Sequence, residues 1–296
     1  MTYETLILSG GSVQSIIQLG ALQYFKDQNI LNNFKNFVGT SAGSIICYLL
    51  IINYSPIEIV VYLCTNYQLF EKLKCFDLVS ASRGEGATSF VHISEQIEKM
   101  TIEKTGRLFT LKDLEDTFNK KLVCVTYNIT KACQEIISSE NNPTMPCLIA
   151  LRMSCNLPLI FENFKYNDSF YIDGGLINHF PIDIGESFGK NVLAVGLRFD
   201  IKEDNPHINL LEYVYKLLLL PIHENVMRKI DNKKETTRVI YLESNSIKFF
   251  NFDINSKTKL EMFSKGYEDA KNLFEFIEVK KEIDKEIDKE ISNVNI

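Results

Sequence analysis

Phe37-Val38-Gly39-Thr40-Ser41-Ala42-Gly43 leads straight into an apolar run from Ile45 to Ile52. That order predicts a short strand, a sharp turn and a helix, the setting in which Gly-x-Ser-x-Gly becomes a nucleophile elbow. Ser41 falls at the tip of the turn, where its hydroxyl points outward, while the small residues Gly39 and Gly43 let strand and helix pack closely. It also falls at a helix N-terminus, where backbone N–H groups favour negative charge developing nearby. Upstream, Thr5-Leu6-Ile7-Leu8 ends at Ser9-Gly10-Gly11-Ser12, and a helix-compatible stretch runs from Val13 to Ile30. Two strand–turn–helix units within the first 55 residues imply a parallel sheet flanked by helices.

Further along, Leu122 to Tyr127, Phe170 to Ile172, Val192 to Val195 and Arg238 to Leu242 read as strands. With the first two they make a sheet of about six. Residues 57–120 are mostly helical in pattern, interrupted at Ser82-Arg83-Gly84-Glu85-Gly86, a stretch suited to covering or lining a site. Cys147 to Cys155 has helical spacing. The leucine-rich segment Leu217 to Leu220 is read as a helix face packed on the sheet, with a membrane-touching edge as the other reading. We divide the chain into one α/β/α domain over residues 1–275 and a charged helical tail over 276–296, where Ile283, Ile287 and Ile291 stand among Lys, Glu and Asp.

Composition narrows the function. The 296 residues carry a formal net charge of −6, with 45% hydrophobic and 24% charged residues, which fits one large globular domain with a sizeable core. Lys and Arg form no basic stripe, so nucleic acid is not expected as a partner. The seven cysteines lack paired short spacing and read as reduced thiols. The four histidines, His92, His179, His207 and His223, show no metal-ligand spacing, so neither a metal nor an organic cofactor is implied. No export signal opens the chain and no apolar run approaches the length of a membrane span, which predicts a cytoplasmic protein.

An acyl-transfer serine needs a base and an oxyanion hole. Asp173 ends a strand and is followed by Gly174 and Gly175, which let the backbone turn away and leave the carboxylate facing a crevice. Gly10-Gly11-Ser12 forms a loop between strand and helix whose backbone amides can face an oxyanion. Asp-Gly is also a common turn, and the glycine loop lacks the spacing of a nucleotide-binding fingerprint.

These three segments, in this order, resemble the patatin-like phospholipase family. Leu19-Gly20-Ala21-Leu22, Thr110 to Leu114, Leu151-Arg152-Met153-Ser154 ahead of Pro158, and Asp173-Gly174-Gly175-Leu176-Ile177-Asn178 with Pro181 add to the resemblance, which is clear over residues 5–200. It implies a patatin-like three-layer fold, Ser41 as nucleophile, Asp173 as its base, and an oxyanion hole of backbone amides at Gly10, Gly11 and Ser12. It further implies hydrolysis of phospholipids or other lipid esters at a membrane surface, through an acyl-enzyme.

The departures fall in one loop. Where the family has a third glycine, a basic residue and another glycine, this chain has Ser12, Gln14 and Ser15. If that third position requires positive φ, Ser12 is strained there and turnover is reduced rather than abolished. Two other readings follow: a Ser-His-Asp esterase using His179, His207 or His223, and a patatin-fold lipid-binding or interaction protein with weakened catalysis.

Overall fold

In the computed structural model, residues 2–66, 86–199, 210–244 and 254–294 are described. The Ser82–Glu85 part of the interruption and His207 lie outside them. Eight strands form one sheet: β1 (Thr5–Leu8), β2 (Asn36–Thr40), β3 (Lys121–Asn128), β4 (Cys133–Ser138), β5 (Phe164–Tyr166), β6 (Ser169–Asp173), β7 (Val192–Phe199) and β8 (Thr237–Ser244). β3, β2, β1, β7 and β8 run parallel, whereas β4 and β6 pair antiparallel with β3 and β5 pairs antiparallel with β6. The central sheet is therefore mostly parallel and flanked by helices, as the two opening strand–turn–helix units imply. β4 and β5 are additional to the six strands read from sequence. Both carry half-buried, mixed residues at the sheet margin, so they lack the apolar run that marks a buried strand.

The helices are α1 (Ser15–Asp27), α2 (Ala42–Ile51), α3 (Pro56–Thr65), α4 (Val91–Thr105), α5 (Leu111–Phe118), α6 (Cys147–Ser154), α7 (Gly175–Asn178), α8 (Ile182–Phe188), α9 (Leu210–Asp231) and α10 (Ser256–Val294). Local sequence sets their starts: Ser55 with Glu58 and Thr110 with Asp113 form capping boxes for α3 and α5. α1 and α10 cross at contact distance. A Cβ on Gly20 would lie 1.9 Å from the Phe263 carbonyl oxygen, and one on Gly266 would lie 1.9 Å from that of Ile17. α8 lies against the Thr5 and Ile7 side of β1, since a Cβ on Gly185 would meet Ile7 Cδ1 at 2.2 Å.

The C-terminal segment from 276 is the distal part of one continuous helix, α10, whose earlier residues Phe263 and Ala270 are buried. α9 packs on the sheet through Leu219, Ile222 and Val226, which line a void with Leu197 of β7 and Tyr241 of β8, while Leu217, Leu218 and Leu220 are exposed on its other side.

Register explains how the site is built. β2 pairs with residues 121–125 of β3 and β4 with 123–128, so the two occupy opposite edges of β3. β6 pairs with residues 126–128, overlapping β4, and must share the edge used by β2. β2 and β6 thus meet end to end on β3, with Thr40 opposite Val125 and Asp173 opposite Thr126. Residues distant in sequence are brought together because two strands of opposite direction both stop there.

Candidate active site

Ser41 sits at that junction with φ 53° and ψ −130°, a left-handed backbone that L-residues avoid and that persists where surrounding structure enforces it. The restraints are visible. The Ser41 amide donates to Ser154 Oγ at 3.0 Å, and Ser154 Oγ donates to the Val125 carbonyl at 2.8 Å. The Ser41 carbonyl accepts from the Ser44 amide at 2.8 Å and from Ser44 Oγ at 2.6 Å. Thr40 Oγ1 donates to the Asn178 carbonyl at 3.0 Å, tying the elbow to the turn after Asp173. A Cβ on Gly43 would lie 2.5 Å from the Ser9 carbonyl oxygen and 2.7 Å from that of Leu8, so only glycine lets α2 approach β1 this closely.

Asp173 is 2% exposed and hydrogen-bonded to the Ser41 hydroxyl. Burial pushes its carboxyl up to about 6, while the hydrogen bonds from Ser41 and from the Gly175 amide, the latter at 2.6 Å, hold it down. A carboxylate at that value is ionised at neutral pH yet far more basic than an exposed aspartate. Its backbone is anchored by Asn156, whose carbonyl accepts from the Asp173 amide at 2.8 Å and whose Nδ2 donates to the Tyr171 carbonyl at 2.7 Å. The buried Arg152 holds Asn156 Oδ1 at 2.6 Å. A Cβ on Gly174 would lie 2.3 Å from the Val125 carbonyl oxygen, so the turn after Asp173 passes flush against β3.

The glycine loop lies beside Ser41, since a Cβ on Gly10 would stand 3.4 Å from Ser41 Cβ. It is fastened from below. Gln18 Nε2 reaches the Ser9 carbonyl at 3.2 Å, Ser9 Oγ at 3.0 Å and the Val195 carbonyl at 3.1 Å, and Ser9 Oγ donates to the Gly10 carbonyl at 2.9 Å. The Gly10 amide donates to the His179 carbonyl at 3.0 Å and is thereby engaged within the fold. Ser12 has φ 49°, in the left-handed region. Gln14 is buried and accepts from Ser244 Oγ at 3.0 Å, so it fastens the loop to the end of β8.

Restoring glycine at position 12 relieves the backbone strain but adds entropy to the unfolded chain, two effects of about 1 kcal/mol each. Ser12→Gly is therefore expected to raise unfolding free energy by no more than about 1 kcal/mol, and to leave turnover equal or higher. Urea unfolding and initial rates check this.

His179 is half-buried against the glycine loop. Burial drives its imidazole down to about 4, with a backbone hydrogen bond at Gly10 acting the other way, so it is neutral at pH 7. Its ring adjoins Gly10, with Cε1 2.9 Å from where a Cβ on that residue would stand. His179 and His223 line a small void of about 10 Å³ between α9 and the sheet. The Ser41 hydroxyl has the Asp173 carboxylate as its partner.

From Ser41 a chamber of about 190 Å³ opens, walled by α1, α2, α3 and α4. Ser12, Ser15 and Ser41 stand in its wall, and Ile16, Leu19, Ile46, Leu49, Ile97 and Met100 are among its apolar lining. Leu49 lies eight residues beyond Ser41 along α2, about 12 Å at the helical rise. The chamber is thus polar at the serines and apolar beyond them.

Sequence reasoning located Ser41, Asp173 and the glycine loop but assigned no role to Ser154, Asn156, Thr40 or Gln18. Ser154 and Asn156 follow Leu151-Arg152-Met153 in the order that resembles the family, which was their only signal. Their function depends on register across β3, which local sequence does not carry.

A mostly parallel α/β sheet with a strained serine at a strand–helix elbow and a buried carboxylate bonded to it defines a class of hydrolase folds. Within that class the chain belongs to the patatin-like phospholipase family, whose profile matches residues 6–185. The probable lipid hydrolase 463L of Invertebrate iridescent virus 6 is 37% identical over 216 residues, covering 69% of this chain and 73% of that protein. The uncharacterised protein R571 of Acanthamoeba polyphaga mimivirus is 26% identical over 281 residues, covering 90% and 92%. Among solved structures, VipD of Legionella pneumophila superposes with a TM-score of 0.55 at 15% identity, covering 93% of this chain and 67% of VipD. The type III effector ExoU superposes with a TM-score of 0.51 at 14% identity, covering 91% of this chain. The chain spans about half of ExoU, 52% of its length. These two likenesses concern the fold.

Proposed function

We propose that this protein is a lipid acyl hydrolase that cleaves fatty-acyl esters through a Ser41/Asp173 dyad. The hydrogen bond between the Ser41 hydroxyl and a buried, basic Asp173 carboxylate, at the mouth of an apolar chamber, carries the reading. Ser41 Oγ attacks the ester carbonyl carbon as its proton passes to Asp173, and the carbonyl π electrons move onto oxygen. The Gly11 and Ser12 amides, with the Gly10 segment behind them, face that oxyanion. Collapse expels the alcohol portion of the lipid, which takes the proton from Asp173, and leaves an acyl-enzyme. Water then attacks the acyl carbon, giving its proton to Asp173; collapse releases the fatty acid and returns the proton to Ser41. No step calls on a metal or organic cofactor.

The substrate class follows from the chamber. Its apolar wall beyond Ser41 suits an acyl chain and offers a sugar or peptide few hydrogen-bonding partners. Val91 and Leu159 are exposed and directly adjoin the chamber-lining Phe90 and Ile160, which supports contact with a lipid surface at the mouth. No single helix among the described residues is long and apolar enough to cross a membrane. We propose peripheral attachment of a cytoplasmic protein to phospholipid surfaces. Release of fatty acid from defined phospholipids, lysophospholipids and triacylglycerols, each compared with Ser41→Ala, tests the assignment. No release from any of them contradicts it.

Chamber length sets a further expectation. Leu49→Phe fills space at the end remote from Ser41. Excluding about two methylenes forfeits about 1.6 kcal/mol of burial, or roughly 15-fold. Its kcat/KM is expected to fall by that factor for long-chain p-nitrophenyl esters and to stay near wild type for the butyrate.

A further inference from the structure

Ser15 stands where the family pattern has glycine, and it is the first residue of α1. It is 3% exposed, and its hydroxyl has no hydrogen-bond partner among the described residues. Such groups are uncommon, because a buried hydroxyl deprived of water normally finds a partner in the protein. Two carbonyls of the adjoining loop are already engaged. The neighbouring Gly11 carbonyl already accepts from the Gln14 amide at 2.9 Å, and the Gly10 carbonyl accepts from Ser9 Oγ at 2.9 Å. The hydroxyl nevertheless sits at the loop that faces Ser41. A Cβ on Gly11 would be 2.7 Å from Ser15 Oγ, and one on Gly10 would be 3.4 Å from Ser41 Cβ. Ser15 and Ser41 line the same chamber, and next to Ser15 on α1 its wall turns apolar with Ile16 and Leu19.

We propose that Ser15 is a substrate-contacting residue whose hydroxyl donates a hydrogen bond to the carbonyl oxygen of the ester held against Ser41. The inference rests on the hydrolase reading and deepens it. A backbone loop at this place stabilises an oxyanion through amides alone; here a side chain is added to them, next to a Ser12 whose amide is carried on a left-handed backbone. A donor aimed where negative charge develops acts more strongly in the transition state than on the neutral ester, so its loss registers in kcat rather than KM.

The test uses the full chain with p-nitrophenyl butyrate, measuring kcat, KM and thermal unfolding for wild type, Ser41→Ala, Ser15→Ala and Ser15→Gly. Wild-type turnover should vanish in Ser41→Ala. Ser15→Ala should lose 10- to 100-fold in kcat, with KM within twofold and no drop in unfolding temperature, since the hydroxyl removed bonds to nothing among the described residues. Ser15→Gly should lose as much in kcat, whatever its stability. If wild type turns over and both Ser15 variants stay within threefold of its kcat, the role of Ser15 is overturned while the hydrolase reading stands; the hydroxyl then only holds a water. An unfolding temperature that falls with kcat unchanged overturns it too, in favour of a structural role. Absence of wild-type turnover overturns the hydrolase reading and takes the inference with it.

Discussion

Asp173→Asn will lower kcat/KM for lipid esters by about 10³-fold and, at pH 8, raise the unfolding temperature of the protein. The activity loss follows from removing the carboxylate that partners the Ser41 hydroxyl and can take its proton; general-base contributions run to roughly 10²–10⁴. The gain in stability follows from the same burial that makes the carboxylate basic. Its folded-state value, about 6, lies above the roughly 3.9 of an unfolded aspartate, so the folded state holds the proton more tightly. Its contribution to stability is fully present below pH 3.9 and is lost as pH rises through 6. Above that, ionising Asp173 costs about 3 kcal/mol, which a neutral asparagine avoids. Asparagine can still accept from the Gly175 amide and donate to Ser41 Oγ. The gain should therefore be present at pH 8 and absent at pH 4. The wild-type rate should fall tenfold per pH unit below about 6 and level off above it. A variant equally stable to wild type at both pH values would mean that Asp173 is not the strained, ionised group described here.

Gly43→Ala is expected to lower both the stability of the fold and its turnover. Alanine would favour α2 by about 1 kcal/mol through helix propensity. Against that, the new methyl would lie 2.5 Å from the Ser9 carbonyl oxygen and 2.7 Å from that of Leu8, both backbone atoms that cannot rotate away. Overpacking of this kind costs about 1–3 kcal/mol, so the net effect is loss of stability. The greater effect is on the reaction. Pushing α2 off β1 moves Ser41 relative to the glycine loop, and a displacement near 1 Å is worth about 10² in rate. Unfolding in urea and kcat on a p-nitrophenyl ester measure the two effects separately. A folded Gly43→Ala protein with wild-type kcat would refute the close packing.

Much of this architecture was legible in the sequence because its decisive features are local. A strand, a strained turn and a helix are specified by consecutive residues at Phe37 to Ile52 and at Thr5 to Ile30, and parallel strands buried on both faces read as unbroken apolar runs. β4 and β5 were not legible, since marginal strands need no such run. The pairing of Ser41 with Asp173 was suggested by resemblance and by Gly174-Gly175, not by any local rule. It depends on β2 and β6 stopping against the same edge of β3, and no residue in either strand announces that register. The supports at Ser154, Asn156 and Gln18 were hidden for the same reason: their partners are backbone atoms of other strands. The exposed Leu217, Leu218 and Leu220 show the limit of composition, because a leucine run marks a helix without telling which residues face the sheet.

The central claim is that Ser41 is a nucleophile activated by Asp173. Intact-mass spectrometry after incubation with a fluorophosphonate, followed by peptide mapping, tests it most directly. A single adduct should form on the peptide carrying Ser41, disappear in Ser41→Ala and form far more slowly in Asp173→Asn. No adduct on the folded protein, an adduct on another residue, or one that forms at the same rate without the Asp173 carboxylate would contradict it.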